Sequence, residues 1–346
     1  MSRRARNKHV TGLEIEPGSI AAATVSVNGH VVVHQAAVAP LEPNVVRDGE
    51  VGDPLALSEA LKALFKEHKD LGKKVRIGIA NARIVVRPLD LPPMSDPKEL
   101  AAAVRFQAAE ELPMPLDQAV IDYQDMGVVE TADGPRQRVV VVAARRDMIE
   151  GFIHSVRGAG LKVEGIDLSA FAMIRALGTE PEPTLYLSVG GLTNLAIADE
   201  TGCSFTRVTS TGLESMASDV AERCALPLQE ARAWLTRVGL LASPEAFDGD
   251  AETAAMVRTV LDSGVRKLSG ELRFSLDFHQ SSGGAPVERV VLTGPATRVP
   301  NFAAGLEREL GIPVEERVVD DAGADLGVDA ARVTLAAGLA VEEVPS

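Results

Sequence analysis

A triplet of strands joined by tight turns appears twice in this chain, and that restart constrains the fold more than any other feature. Residues 10–15, 22–27 and 31–38 read as three successive strands, with Asn28-Gly29 as a hairpin turn between the last two. Residues 184–189, 194–199 and 202–208 repeat the theme, in pattern rather than in residue identity. The first triplet is followed by a helix over 55–68, with Leu57, Leu61, Leu64 and Phe65 on one face, and by strands over 74–80 and 84–89. This order is mixed α/β. Residues 178–183, with Pro181 and Pro183, are the best linker between the halves.

Residues 88–163 read as a compact insertion. Its helix opens with Asp96 as N-cap, Pro97 at the first position and Glu99 at the third, a capping-box-like start. Leu100, Val104, Ala108 and Leu112 then recur at four-residue steps. The helix must close at Pro113-Met114-Pro115, because proline offers no amide hydrogen and restricts the residue before it. A strand over 120–125, a polar turn over 131–137 and a near-continuous apolar strand over 138–144, read as buried on both faces, follow. Met148, Ile149, Phe152, Ile153 and Val156 form one face of a second helix. A strand over 161–166 and a helix over 170–177 complete the first half. The second half continues with helices over 211–224, 228–238 and 251–280, a buried strand over 287–293, and helices over 301–310 and 333–342.

At 346 residues, 46% of them apolar, the chain is long enough for two or three cores. A net charge of -14 argues against nucleic acid as main partner, since phosphate binding needs clustered Lys and Arg. The basic leader, Arg3, Arg4, Arg6 and Lys8, is the exception and reads as a solvated start. No apolar run approaches the roughly 20 residues of a membrane helix, and no apolar segment of a signal peptide follows the leader. Cys203 and Cys224, the only cysteines, suit a reducing compartment, so the expected location is cytoplasmic. The six histidines show no metal-ligand spacing, no Ser-His-Asp pattern is visible, and Trp234 and Tyr123 read as packing residues.

Three turns are candidates for cradling phosphates and a base: 12–19, 188–194 and 292–302. Their order and spacing resemble the actin-like ATPase superfamily. The run Arg105-Phe106-Gln107-Ala108-Ala109-Glu110-Glu111-Leu112-Pro113-Met114-Pro115-Leu116, continued by Asp122-Tyr123-Gln124, narrows the likeness. So do Ile166-Asp167-Leu168-Ser169-Ala170-Phe171-Ala172, Phe205-Thr206-Arg207 and Glu271-Leu272-Arg273-Phe274-Ser275-Leu276-Asp277-Phe278. With these runs the chain resembles PilM, the FtsA-like family of type IV pilus assembly, over nearly its whole length. The resemblance implies an actin-like (ribonuclease H-like) α/β fold of duplicated domains with mixed five-stranded sheets and an FtsA-type 1C insertion. It implies subdomain 1A over 10–87 and 164–182, 1C over 88–163, 2A over 183–210 and 286–346, and 2B over 211–285. It implies ATP with Mg²⁺ at Glu14, Ser19, Gly190, Gly191, Thr193, Asn194 and Gly294. It further implies a cytoplasmic scaffold at the inner face of the plasma membrane, bound to the cytoplasmic tail of a PilN-like protein and through it linked to the assembly motor ATPase. The tail groove between 1A and 1C would draw on Leu100, Val104, Tyr123 and Val140.

The catalytic residues depart from the family's pattern. The first phosphate turn of such proteins reads Asp-Ile-Gly-Ser-Ser-Ser-Val-Lys; here it is Glu14-Ile15-Glu16-Pro17-Gly18-Ser19-Ile20-Ala21. The Asp becomes a longer Glu, the glycine becomes Glu16, Pro17 removes an amide donor, and the Lys becomes Ala21. The second turn carries Ser188 in place of Asp, and the adenosine turn reads Thr293-Gly294-Pro295-Ala296-Thr297. Each lost electrostatic contact of this kind costs about 10²–10³ in rate. A nucleotide-switched ATPase is therefore the second expectation, behind a scaffold. An FtsA-like polymer would need a C-terminal amphipathic helix, and the acidic run 341–346 does not supply one.

Overall fold

The computed structural model describes residues 10–27, 29–131, 134–240, 250–321 and 326–341. The basic leader, the turn residue Asn28 and the acidic run from 342 onward lie outside the described residues.

The first half opens with β1 (Thr11–Glu16), β2 (Ser19–Val27) and β3 (Val31–Pro40), each antiparallel to its predecessor. A small ribbon of β4 (Val46–Arg47) and β5 (Glu50–Val51) leads into α1 (Pro54–Glu67). Asp53 caps α1 by accepting from the amides of Leu55 and Ala56, both at 3.0 Å, and Pro54 fills the first turn. Next come β6 (Lys74–Ile79), β7 (Val85–Leu91), α2 (Pro97–Glu111), β8 (Ala119–Thr131), β9 (Gly134–Arg145), α3 (Arg146–Gly158), β10 (Lys162–Leu168) and α4 (Ser169–Leu177). The second half carries β11 (Thr184–Val189), β12 (Thr193–Asp199), β13 (Gly202–Thr209), α5 (Leu213–Cys224), α6 (Leu228–Val238), α7 (Ala251–Ser281), β14 (Val290–Thr293), α8 (Phe302–Leu310), β15 (Val314–Glu316) and α9 (Thr334–Ala340).

The two five-stranded sheets have one topology. Their orders are β10-β6-β1-β2-β3 and β13-β12-β11-β14-β15. In each, an antiparallel triplet is extended by two parallel strands on the side of its first member. The repeated triplet thus becomes a duplicated α/β architecture. Apolar residues of α1 and α3 (Leu57, Leu61, Phe152, Val156) bury one face of the first sheet; those of α5, α6 and α7 bury one face of the second. α4 and α9 lie between the halves. α9 is built from small residues and approaches β1 so closely that a Cβ on Gly12 would sit 1.8 Å from the Ala336 carbonyl oxygen.

The third sheet, β7-β9-β8, stands apart from the duplication. α2 covers one of its faces through Leu100 and Val104, packed on Leu89, Leu91, Val139 and Val141. Asp96 caps α2 at 2.9 Å from the Lys98 amide, and the helix stops before Pro113 as the sequence predicts. Two expectations are corrected here. The hairpin β8–β9 is longer than expected: β8 runs to Thr131 and β9 starts at Gly134, inside the stretch 131–137 expected as a turn. A bulge between Asp125 and Val128, where Gly127 takes φ +84°, lets β8 continue instead of ending at 125. The strand over 138–144 is buried on one face: Val139, Val141 and Ala143 are inside, whereas Val140 and Val142 are only half-buried. The sheet is antiparallel with a single covering helix, so its other face is left to alternation.

Candidate functional site

The equivalent hairpins β1–β2 and β11–β12 meet across the cleft between the halves. Pro17-Gly18 forms the first turn and Gly190-Gly191-Leu192 the second. The approach is close: a Cβ on Gly191 would stand 2.1 Å from the Pro17 carbonyl oxygen. Glu16 reaches from the end of β1 into the second turn. Its Oε2 accepts from the Gly191 amide at 2.9 Å and, more loosely, from the Leu192 amide at 3.4 Å. Its Oε1 accepts from the Ser19 hydroxyl at 3.2 Å. The Gly190 amide donates to the Leu192 carbonyl at 2.9 Å, and the Gly190 carbonyl accepts from Leu213 at the head of α5 at 2.8 Å. Gly191 and Leu192, the two amides of the second turn that point toward the first, thus both serve the Glu16 carboxylate.

Burial pushes the Glu16 carboxyl up to about 7, against the amides of Leu192 and Gly191, the Ser19 hydroxyl and the Arg332 charge, which all favour the ionised form. Glu14, buried on β1, is held well above the usual carboxylate range, first by burial and then by the charge of Glu16.

Around the hairpins runs a cleft of ≈ 730 Å³, a size that suits a nucleotide-scale ligand. Arg232 of α6 forks onto Glu214 of α5, with Nε donating to Oε2 at 2.8 Å. Arg298, after the 293–297 turn, donates to Asp329 at 2.7 Å, and Arg332 stands one helical turn beyond. These five charged residues line the cleft together with Glu16. They come from four elements spread between residues 214 and 332 and had no sequence signal of their own.

Of the expected nucleotide residues, Ser19, Gly190 and Gly191 line this cleft, and Gly294 precedes its Pro295 wall. The others lie elsewhere. Thr193 is buried, its hydroxyl donating to the Thr211 carbonyl at 2.7 Å. Asn194 borders a separate cavity of ≈ 80 Å³ with Asn81, Thr206 and Arg207. Glu14 sits in the sheet behind the turn. The residues present do not fit a triphosphate with Mg²⁺ in the way the resemblance implies. Pro17 has no amide to offer, the amides of the second turn are taken by Glu16, and two acidic groups, Glu14 buried and Glu16 half-buried, stand where phosphate charge would gather.

Of the expected groove residues, Leu100 and Val104 form the core beneath α2, and Tyr123 packs on the same cluster. Val140 faces the opposite side of the small sheet. There it neighbours Pro88 and Gln124 in register, with Val86, Val142 and Asp122 one step along. This face is apolar along its middle and bounded by the Arg138–Asp90 pair, whose Nε donates at 2.7 Å. Val86 and Val142 also touch the core of the first half, so this face of the small sheet borders that half.

Among the described residues, no helix is long and apolar enough to cross a membrane. Comparison with solved structures finds a chain of a PilM–PilN type IV pilus biogenesis complex, 24% identical, with a TM-score of 0.79, covering 96% of this chain and 97% of that one. The ethanolamine utilization protein EutJ of Carboxydothermus hydrogenoformans is 16% identical with a TM-score of 0.57, over 98% of this chain and 92% of that one. MreB5 of Spiroplasma citri, solved with AMPPNP, is 12% identical with a TM-score of 0.52, over 96% of this chain and 95% of that one. These likenesses establish the actin-like fold of duplicated halves. A family model described as type IV pilus assembly protein PilM matches residues 12–235, across both hairpins, the small sheet and α6, and the chain belongs to that family.

Proposed function

We propose that this protein is an actin-like scaffold of type IV pilus assembly, or of a related secretion or competence machine, that holds the cytoplasmic tail of a PilN-like membrane protein. The observation that carries the reading is the match to the PilM family together with likeness, over 96% of the chain, to a structure described as a PilM–PilN complex. In this reading the small sheet with α2 is the FtsA-type subdomain 1C, expected over 88–163; the sheet itself runs from Val85 to Arg145, and α3, though inside the expected range, packs with α1 on the first sheet and goes with subdomain 1A, expected over 10–87 and 164–182. Subdomain 2A is expected over 183–210 and 286–346, of which α9 packs on the first sheet, and 2B over 211–285. The tail lies as an extended segment in the groove beside Val86, Val140 and Val142, taking backbone bonds from a sheet edge and seating its apolar side chains in the strip. Through it the scaffold sits at the inner face of the membrane and is tied to the assembly motor.

The test is binding of a synthetic PilN-type cytoplasmic tail peptide to the full chain, read by calorimetry and by the rise in Tm that mass action requires. Val140→Asp, on a half-buried face of the central strand, is expected to weaken binding by at least about tenfold at a cost to the fold of about 1 kcal/mol, the span of strand propensity. Absence of tail binding to the native protein would remove this reading.

The second reading is a nucleotide-switched ATPase. The size of the cleft and its three arginines favour it, as does the AMPPNP held by MreB5, a protein of similar fold. The acidic clasp at the phosphate turns weighs against turnover, because it puts a negative charge and a filled pair of amides where the γ-phosphate would be stabilised.

A further inference from the structure

We infer that Glu16 is a built-in anion: its carboxylate takes the place of a ligand phosphate on the Gly191 and Leu192 amides, and so shuts the cleft to phosphate-bearing ligands while clasping the two halves together. The argument starts from what a glycine turn offers. Successive amides in a tight turn form a concave donor site that attracts an anionic oxygen. In β11–β12 that site is built, with the Gly190 amide turned back onto Leu192 and those of Gly191 and Leu192 left facing the first hairpin. The oxygen they meet belongs to residue 16, 175 positions earlier in the chain.

The fit is steric as well as electrostatic. A Cβ on Gly190 would stand 2.8 Å from both Glu16 carboxylate oxygens, so the side chain packs directly against the turn. Ser19 steadies one oxygen from the first hairpin's own far strand, and Arg332 contributes an attractive charge from the second half. A phosphate oxygen and this carboxylate cannot share the same donors. Two such contacts to a charged group are worth enough to change affinity by roughly ten- to a hundredfold. Glu16 is thereby the residue that sets what the cleft accepts, and it closes the halves with no ligand bound. This inference is independent of tail binding in the groove beside the small sheet, and either reading survives failure of the other.

The experiment compares the full-length native protein with Glu16→Gly and Glu16→Ala, each checked for folding by circular dichroism. Binding of ATP, inorganic pyrophosphate and adenosine is measured by calorimetry, and amide hydrogen exchange follows residues 190–192. Both variants are expected to bind ATP and pyrophosphate at least about tenfold tighter than the native chain, with adenosine unchanged. Exchange at Gly191 and Leu192 is expected to rise in both variants when no ligand is added. Native protein that binds ATP as tightly as the variants would overturn the inference. So would folded variants that gain no affinity for either anion, or a gain for adenosine equal to that for ATP. Unchanged exchange at Gly191 and Leu192 would remove the clasp.

Discussion

The hairpins β1–β2 and β11–β12 hold equivalent places in two sheets of the same order, yet they do opposite things. The second presents backbone donors: two glycines in a row, no side chain in the way, and amides aimed outward. The first presents an acceptor: Glu16 at the strand end and Pro17, without an amide, in the turn. Duplication of a fold supplies two similar loops facing each other. Three residues that depart from the phosphate-turn pattern in one of them, Glu14, Glu16 and Pro17, are enough to turn a pair of ligand cradles into a donor and its acceptor. The fold tolerates this because each hairpin is fixed by its own sheet, with the chemistry of the turn left free to change.

The largest effect should come from breaking the donor side. Gly191→Ala puts a Cβ within 2.1 Å of a backbone oxygen of Pro17, which cannot swing away as a long side chain would. The turns must separate, and a destabilisation of about 2–3 kcal/mol is expected by urea titration. Gly270→Ala is the matching control: it stands mid-helix on the exposed side of α7 with nothing near its Cβ, and should stabilise by about 0.5–1 kcal/mol. Equal effects at the two glycines would mean that the hairpins do not touch in solution. A smaller loss is expected from Arg232→Ala, which strips the forked partner from Glu214 at the wall of the cleft. Both groups are partly buried, at 27% and 18% side-chain exposure, so the loss should be about 1–2 kcal/mol. A double-mutant cycle with Glu214→Ala should recover most of it if the pair acts as a unit.

Much of this architecture could be read from the chain. Short strand-like runs broken by tight turns mark both triplets, Asp53 and Asp96 sit where helices need an oxygen acceptor, and Pro113 and Pro115 stop α2 where no amide is available. What escaped was held by contacts rather than by local pattern. β15 has three residues, two of them exposed glutamates, and exists only because β14 offers it a parallel edge. Val140 looked like the middle of an apolar strand, and only the antiparallel register with β7 and β8 shows that it turns away from α2. The cleft arginines come from α6, from the turn after β14 and from the approach to α9, distances no spacing rule spans. Glu16 is visible in the sequence only as an acid in place of a phosphate-turn glycine. Its role as a ligand for Gly191 needed the second hairpin in place.

The smallest expected effect tests the acceptor side through pH. A carboxyl raised on folding favours the native state while protonated. Its contribution is complete below the ordinary glutamate value, about 4.3, and is lost as pH rises through about 7. Ionising the enclosed carboxyl therefore costs the native protein stability across that window, a loss that the amide bonds of the clasp reduce but do not cancel, and Glu14, shifted the same way, adds to the slope. Glu16→Gln keeps an oxygen for the Gly191 amide but cannot ionise. It should flatten the Tm profile between about pH 4.5 and 7, leaving the part due to Glu14, and stand above the native protein at pH 8 by about 1 kcal/mol once screening at the half-buried site is allowed for. If the variant keeps the full native slope, the carboxyl is not enclosed between the hairpins, and the contrast between an accepting and a donating turn fails with it.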